Sequence, residues 1–206
     1  LIGEKTCTFA IDAIKAAAAM LLLAEKPILC TNGNTTMLSA EALIKLSKVL
    51  NAPIEINLFH QSIRRETKIV EHFKSFGFSN ILLPNEKIIS GIKSNRKKVS
   101  NKGQKIADVI FVPLEDGDRT EALVEMGKKV IAVDLNPLSR TAQKAHITIV
   151  DNIVRTIPIL SKYISLYKSK NKLTLKKIVG VYDNNINLNA ALIHINKRLT
   201  SLTKKQ

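Results

Sequence analysis

An α/β fold, a mostly parallel sheet with helices on both faces, is predicted by three features of this 206-residue chain. Short apolar runs alternate with helical patterns almost throughout. The runs Ile28–Thr31, Ala107–Pro113, Val130–Val133 and Ile147–Val150 are apolar without strict alternation, as strands covered on both faces are. Several of them end in loops dense with Asp, Asn, Arg and Thr, and loops at strand carboxyl ends are where open α/β sheets take ligands.

Thr8–Lys26 reads as an Ala- and Leu-rich helix, apolar on most faces and therefore buried, stopped by Pro27. Ile28–Thr31 is a strand ending in Asn32-Gly33-Asn34, either a plain tight turn or a polar cradle. Leu38–Leu50 is the next helix, with Ser39 as its cap. Pro53–Phe59 sets Ile54, Ile56 and Leu58 against Glu55 and Asn57 and reads as a strand. Ser62–Phe76 is a helix closed by a left-handed Gly77. Asn80–Leu83 is a short strand, and 85–105 a long irregular stretch of the kind that either serves as a lid or is simply mobile. After the strand Ala107–Pro113, the run Asp118-Arg119-Thr120-Glu121 has capping-box spacing and opens a helix to Met126, closed by Gly127. Strand Val130–Val133, short helix Ser139–Lys144, strand Ile147–Val150 and helix Val154–Tyr167 continue the alternation. The tail holds an edge strand, Lys177–Val181, and a last helix, Leu188–Leu199. This length suits one domain over 1–206, with 161–206 as its basic C-terminal strand and helix.

Composition excludes several classes. With 45% apolar residues the chain can build a core and is not disordered. Its two cysteines, Cys7 and Cys30, give neither a disulfide framework nor a zinc pattern, which favours a reducing, cytoplasmic setting. The longest uncharged stretch near the start, Ala16–Ala24, is nine residues, too short to span a bilayer, and nothing frames it as a signal peptide. No membrane partner is expected. The net charge is +15, with ten Lys/Arg against the single acid Asp183 over 161–206, and seven basic residues without an acid over 87–105. A solvated basic surface accounts for this: no aromatics interleave at 87–105 and no nucleic-acid-binding motif is present, so no specific nucleic-acid partner is expected.

Asp134 ends a strand where a carboxylate can accept hydrogen bonds from a ribose diol. Arg140 and Thr141 follow at a helix start, where an arginine fork and backbone N–H groups can hold phosphate. Asp151-Asn152 repeats the pattern at the next strand end. Helix capping alone is the competing reading for Asp134, Ser139 and Asp151. Arg119, preceded by Glu115, Asp116 and Asp118, is either a solvated residue of a capped helix or an arginine aimed at a substrate anion; the acids alternatively bind Mg²⁺ through water. His60 also follows a strand end and is a structural residue or a base. The eight scattered glycines form neither a P-loop nor a dinucleotide fingerprint, which weighs against an NAD-dependent oxidoreductase, the alternative class along with a basic nucleic-acid-binding domain.

Val112–Leu123, Val133–Ala142 and Ile147–Arg155 together resemble the archaeal 4-phosphopantoate–β-alanine ligase (phosphopantothenate synthetase) family. So do Gly3-Glu4-Lys5-Thr6, Ala16–Ala24, Asn32-Gly33-Asn34 and Asn57-Leu58-Phe59-His60. The resemblance covers essentially the whole chain and is weakest from residue 165. It implies a Rossmann-like, homodimeric enzyme of coenzyme A biosynthesis that uses ATP, with Mg²⁺, to join 4-phosphopantoate to β-alanine, giving 4′-phosphopantothenate, AMP and pyrophosphate. The family's nucleotide contacts match Asp134-Leu135-Asn136, Arg140-Thr141 and Asp151-Asn152 here. Substrate contacts are expected from Asn32, Asn34, His60, Thr120 and Arg119, with Arg119 also catalytic. Gln61 stands where the family pattern has Arg, and family members carry a further N-terminal region with ATP-contacting arginines upstream of the start of this chain.

Overall fold

A computed structural model describes residues 1–85, 87–88 and 97–204. The expected loop over 85–105 therefore falls partly outside the described residues, and so do the last two residues of the basic tail.

The strands are β1 (Pro27–Thr31), β2 (Ile54–Ile56), β3 (Ile81–Leu82), β4 (Lys87–Ile88), β5 (Lys98–Val99), β6 (Val109–Pro113), β7 (Lys129–Val133) and β8 (Ile147–Ile149). Six of them form one sheet in the order β3-β2-β1-β6-β7-β8, every neighbouring pair parallel, while β4 and β5 make a small antiparallel pair. The chain builds outward from β1 to β3, crosses back, and builds outward again from β6 to β8. Strand order thus reverses between β1 and β6, and loops leaving these two strands diverge to open a crevice.

The helices are α1 (Thr8–Leu23), α2 (Gly33–Leu50), α3 (Ile63–Ser75), α4 (Gly117–Glu125), α5 (Arg140–Lys144), α6 (Ile153–Tyr167), α7 (Lys172–Gly180) and α8 (Asn184–Thr203). One face of the sheet carries the larger core, to which α1, α2, α3, α6, α7 and α8 contribute. Ala16–Ala19 of α1 are all buried, because α1 is enclosed by β8, α6, α7 and α8, and small side chains let these elements approach closely. The opposite face is covered by α4 and by parts of the 99–107 segment.

Three local readings change. Lys177–Val181 is not an edge strand: the helix α7 occupies it. Leu175, Ile178 and Val179 fall on one helical face that packs into the core, so a 3.6-residue period wins over the β-branched composition. The β8 edge of the sheet is capped by side chains. Asn184 accepts from the Thr148 N–H at 2.8 Å, and Asn187 donates to the Thr148 carbonyl at 3.2 Å. The second helix starts at Gly33, not Leu38, because the Asn32 side chain accepts from the Thr35 N–H at 3.0 Å and caps it. Ser39 lies inside that helix at a kink (φ −151°, ψ 24°). Finally, α4 starts at Gly117 after Asp116. Asp118 accepts from the next N–H, and Glu121 pairs with Lys144 at 2.7 Å rather than folding back, so no capping box forms.

Candidate active site

The crevice at the strand reversal is bounded by the first turn of α2, the β6–α4 loop, the β7–α5 loop and the loop after β2. Asn32 joins the first two: its amide nitrogen donates to the Leu114 carbonyl at 3.0 Å while its oxygen caps α2. Thr35 donates to the Pro113 carbonyl at 3.3 Å. Leu114 itself sits at φ +54°, a left-handed conformation costing a non-glycine residue about 1–2 kcal/mol. Strain of this kind persists where the surroundings over-determine it, and it clusters at functional sites.

On one flank lies a polar cleft of about 170 Å³ lined by Asn32, Gly33, Asn34, Leu58, Phe59, His60 and Arg65. Three sequence-predicted substrate residues, Asn32, Asn34 and His60, therefore do come together. Arg65 joins them unforeseen. Its guanidinium lies over Gly33 at the start of α2 and donates to the His60 carbonyl at 2.9 Å. The N–H groups of a helix's first turn and its dipole favour anions, and an arginine beside them adds a full charge. A signal for Arg65 was present: Arg64-Arg65 fall in the first turn of α3, capped by Ser62, where cations oppose the helix dipole. A local rule broken at a strand end marks function as readily as a motif does. Gln61 donates to Glu66 at 2.7 Å.

On the other flank, Asp134 accepts from the Asn136 N–H at 2.9 Å and from the Ser139 hydroxyl, so it shapes its own loop while remaining half-exposed. Leu135 and Asn136 are exposed, and Asn136 accepts from the Leu138 N–H at 3.0 Å. Arg140 is 57% exposed, 3.9 Å from Glu121, and its side chain crosses Gly117, where a Cβ would come within 2.6 Å of its Nε. Asp116 stands nearby, its carboxyl raised above the usual range by burial and by Asp118, with Arg140 opposing.

Four predicted contact residues face inward. Arg119 is fully buried on the sheet side of α4, its guanidinium held by Glu115, Gln104 and the Cys30 sulfur, so it does not reach into the crevice. An aliphatic-stemmed cation meets two polar partners beneath the sheet, and that pull decides its direction over solvation. Burial pushes the Cys30 thiol beside it up to about 11. Thr120 is buried. Thr141 is buried and donates to the Glu115 carbonyl at 2.9 Å. Asp151 is buried, accepting from Thr6 at 2.6 Å and pairing with Arg155, while Asn152 caps α6 through the Val154 N–H at 3.0 Å. Among the described residues no three His, Cys, Asp or Glu side chains gather into a metal-holding group. Within the 115–118 acids, the Glu115 carboxylate pairs with Arg119.

The model of the phosphopantothenate/pantothenate synthetase family matches residues 9–198. The chain belongs to this family. It is 47% identical over 207 aligned residues to a 4-phosphopantoate–β-alanine ligase of Thermococcus kodakarensis, a match covering 100% of this chain and 79% of that protein. It is likewise 47% identical to the enzyme of that name from Thermococcus onnurineus, covering 99% and 79%. It is 43% identical to the one from Methanosarcina mazei, covering 98% and 80%. In this synthetase family member, the matched span includes the whole sheet and every crevice loop. No helix among the described residues is long and apolar enough to cross a membrane.

Proposed function

We propose that this chain is an ATP-dependent ligase that joins 4-phosphopantoate to β-alanine, yielding 4′-phosphopantothenate, AMP and pyrophosphate. The observation that carries the reading is 43–47% identity, over nearly all of this chain, to ligases of that name, on a fold whose strand order reverses between two cationic flanks. A carboxylate does not acylate an amine unaided, because its oxygen leaves poorly. In the proposed course a carboxylate oxygen of phosphopantoate attacks the α-phosphorus of ATP and pyrophosphate departs. The amine of β-alanine then attacks the acyl carbon, AMP leaves, and the nitrogen loses a proton. Both steps demand positive charge near phosphate and close orientation of the reactants.

Residue roles follow from placement. Arg140, exposed at the head of α5, meets the ATP phosphates. Asp134 and Asn136 meet the nucleoside, since each Asp134 oxygen keeps a second lone pair for a ribose hydroxyl, and Leu135 offers an apolar surface beside them. Asn34, His60 and Arg65 take an anionic group of phosphopantoate in the cleft at the start of α2. Asn32, Thr120, Thr141, Asp151, Asn152 and Arg119 hold the loops rather than the ligands. Mg²⁺ enters on the ATP phosphates, neutralising part of their charge.

A homodimer is part of this reading, supported by the resemblance and by an outer groove of about 530 Å³ between α2, α3 and α6 that exposes Met37, Leu38, Phe76 and Val154. Light scattering at the mass of one chain overturns that part. Two free thiols suit a cytoplasmic setting. The test of the reaction is AMP formation: it should require phosphopantoate, β-alanine and ATP together. AMP release indifferent to phosphopantoate sinks the proposal.

A further inference from the structure

Four buried side chains form one continuous bridge from the underside of the sheet to the crevice. Glu55, at the centre of β2, points to the α4 side in register with Cys30 of β1. Its carboxylate accepts from the Ser100 N–H at 2.9 Å, the Gln104 N–H at 2.7 Å and the Gln104 side-chain amide at 2.8 Å. The Gln104 carbonyl oxygen accepts from Arg119, and Arg119 pairs in turn with Glu115. Glu115 lies in the β6–α4 loop, where one of its oxygens also accepts from the Asp116 N–H at 2.9 Å. None of the four opens to the crevice: Arg119 and Gln104 are 0% exposed.

The loop at the end of this bridge is strained at Leu114 and lies where strand order reverses. Other anchors from neighbouring elements include Asn32 to the Leu114 carbonyl, Thr141 to the Glu115 carbonyl, and the Leu114 N–H to Val133 at 3.1 Å. The bridge ties the loop to β2 and to the 100–104 turn. Such a chain of charge-assisted bonds in a dry interior is stiff, and removing its middle leaves two charges without their shared partner.

We propose that Gln104 and Arg119 are positioning residues, fixing the backbone of 114–117 in the conformation that the ligand meets and acting on the reaction only through that loop. The activity readout of this inference rests on the ligase reading; its second readout does not. Gln104→Met keeps the volume and removes the bridging amide. Arg119→Lys keeps the charge but cannot fork to Gln104 and Glu115 together. Ile110→Val, one methylene lost from the same layer, is the packing control.

Hydrogen exchange on the ligand-free full chain should show the Leu114 and Asp116 amides exchanging roughly tenfold faster or more in both bridge variants, with amides of β7 and the control within about twofold of the parent. In AMP formation the bridge variants should lose about tenfold in kcat, and the control less than about twofold. Unchanged exchange at Leu114 and Asp116, or exchange that rises equally across the sheet, overturns the proposal. Parent protein that forms no AMP refutes the ligase reading and leaves the exchange result to decide this one.

Discussion

Asn32 and Leu114 immediately follow β1 and β6, the two strands between which strand order reverses, and one side-chain amide, donating at 3.0 Å, joins them. The same residue caps α2 with its other atom. Helix start, strained loop and crevice are thus set by a single asparagine, and its two atoms can be separated by mutation.

Asn32→Asp keeps the capping oxygen and drops the donor, whereas Asn32→Ala drops both. The Asp variant should retain the cap, worth about 1 kcal/mol, and the Ala variant should lose it on top of the lost cross-link. Both should lose roughly tenfold or more in AMP formation, because the loop is untied in each. Urea melts beside turnover check this; an Asp variant with parent activity would show that the cross-link does not matter to the reaction.

The two cationic flanks should separate by substrate. Arg65→Ala is expected to raise the KM for phosphopantoate by about tenfold or more, and Arg140→Ala that for ATP, each with little effect on the other substrate. Arg65 sits against the dipole of α3, so its removal should leave stability unchanged or raise it by about 0.3–1 kcal/mol. Thermal melts paired with steady-state kinetics read both effects, and matched losses toward both substrates would contradict the assignment.

Gly103 exists for contact rather than for flexibility. A Cβ there would fall 1.9 Å from a Glu55 oxygen and 3.0 Å from Leu82. Gly103→Ala must push the 100–104 turn off the carboxylate that holds it, at a cost of about 1–3 kcal/mol. A midpoint within error of the parent in urea unfolding would refute this.

Burial raises the Glu55 carboxyl above the ordinary carboxylate range, although three N–H donors oppose the shift. The folded protein then binds this proton more tightly than the unfolded chain does. Its contribution is full below the unfolded value and fades as pH rises through the folded one. Glu55→Gln cannot titrate, and it loses one acceptor for the three donors. The variant should be less stable than the parent throughout, but the gap should narrow between pH 5 and pH 8. Paired melts at those values measure it; a gap that widens with pH reverses the sign.

Much of this was readable from the chain. Continuous apolar runs marked β1, β6, β7 and β8, and their polar sequels marked the ligand edge, because strands covered on both faces leave only their ends for chemistry. At 53–59 the period is legible in the chain but the surroundings are not: Glu55 and Asn57 have the pattern of a solvated face, and both are buried. Lys177–Val181 differs from its expected strand for a related reason. Composition favours a strand there, and only packing onto α1 reveals the helix.

The sequence by itself determined the alternation, the ligand edge and the family, since each depends on residue types at short spacing. Tertiary structure decided which side chains face the crevice. Arg119 lies one turn into a helix that begins at the ligand edge, yet it turns inward because Gln104 and Glu115 meet it beneath the sheet. Arg65, in the first turn of α3, turns toward the cleft because α2 begins beside it. A charged side chain goes where its partners are, and those partners lie fifteen residues away for Arg119 and Gln104, a distance that only folding closes.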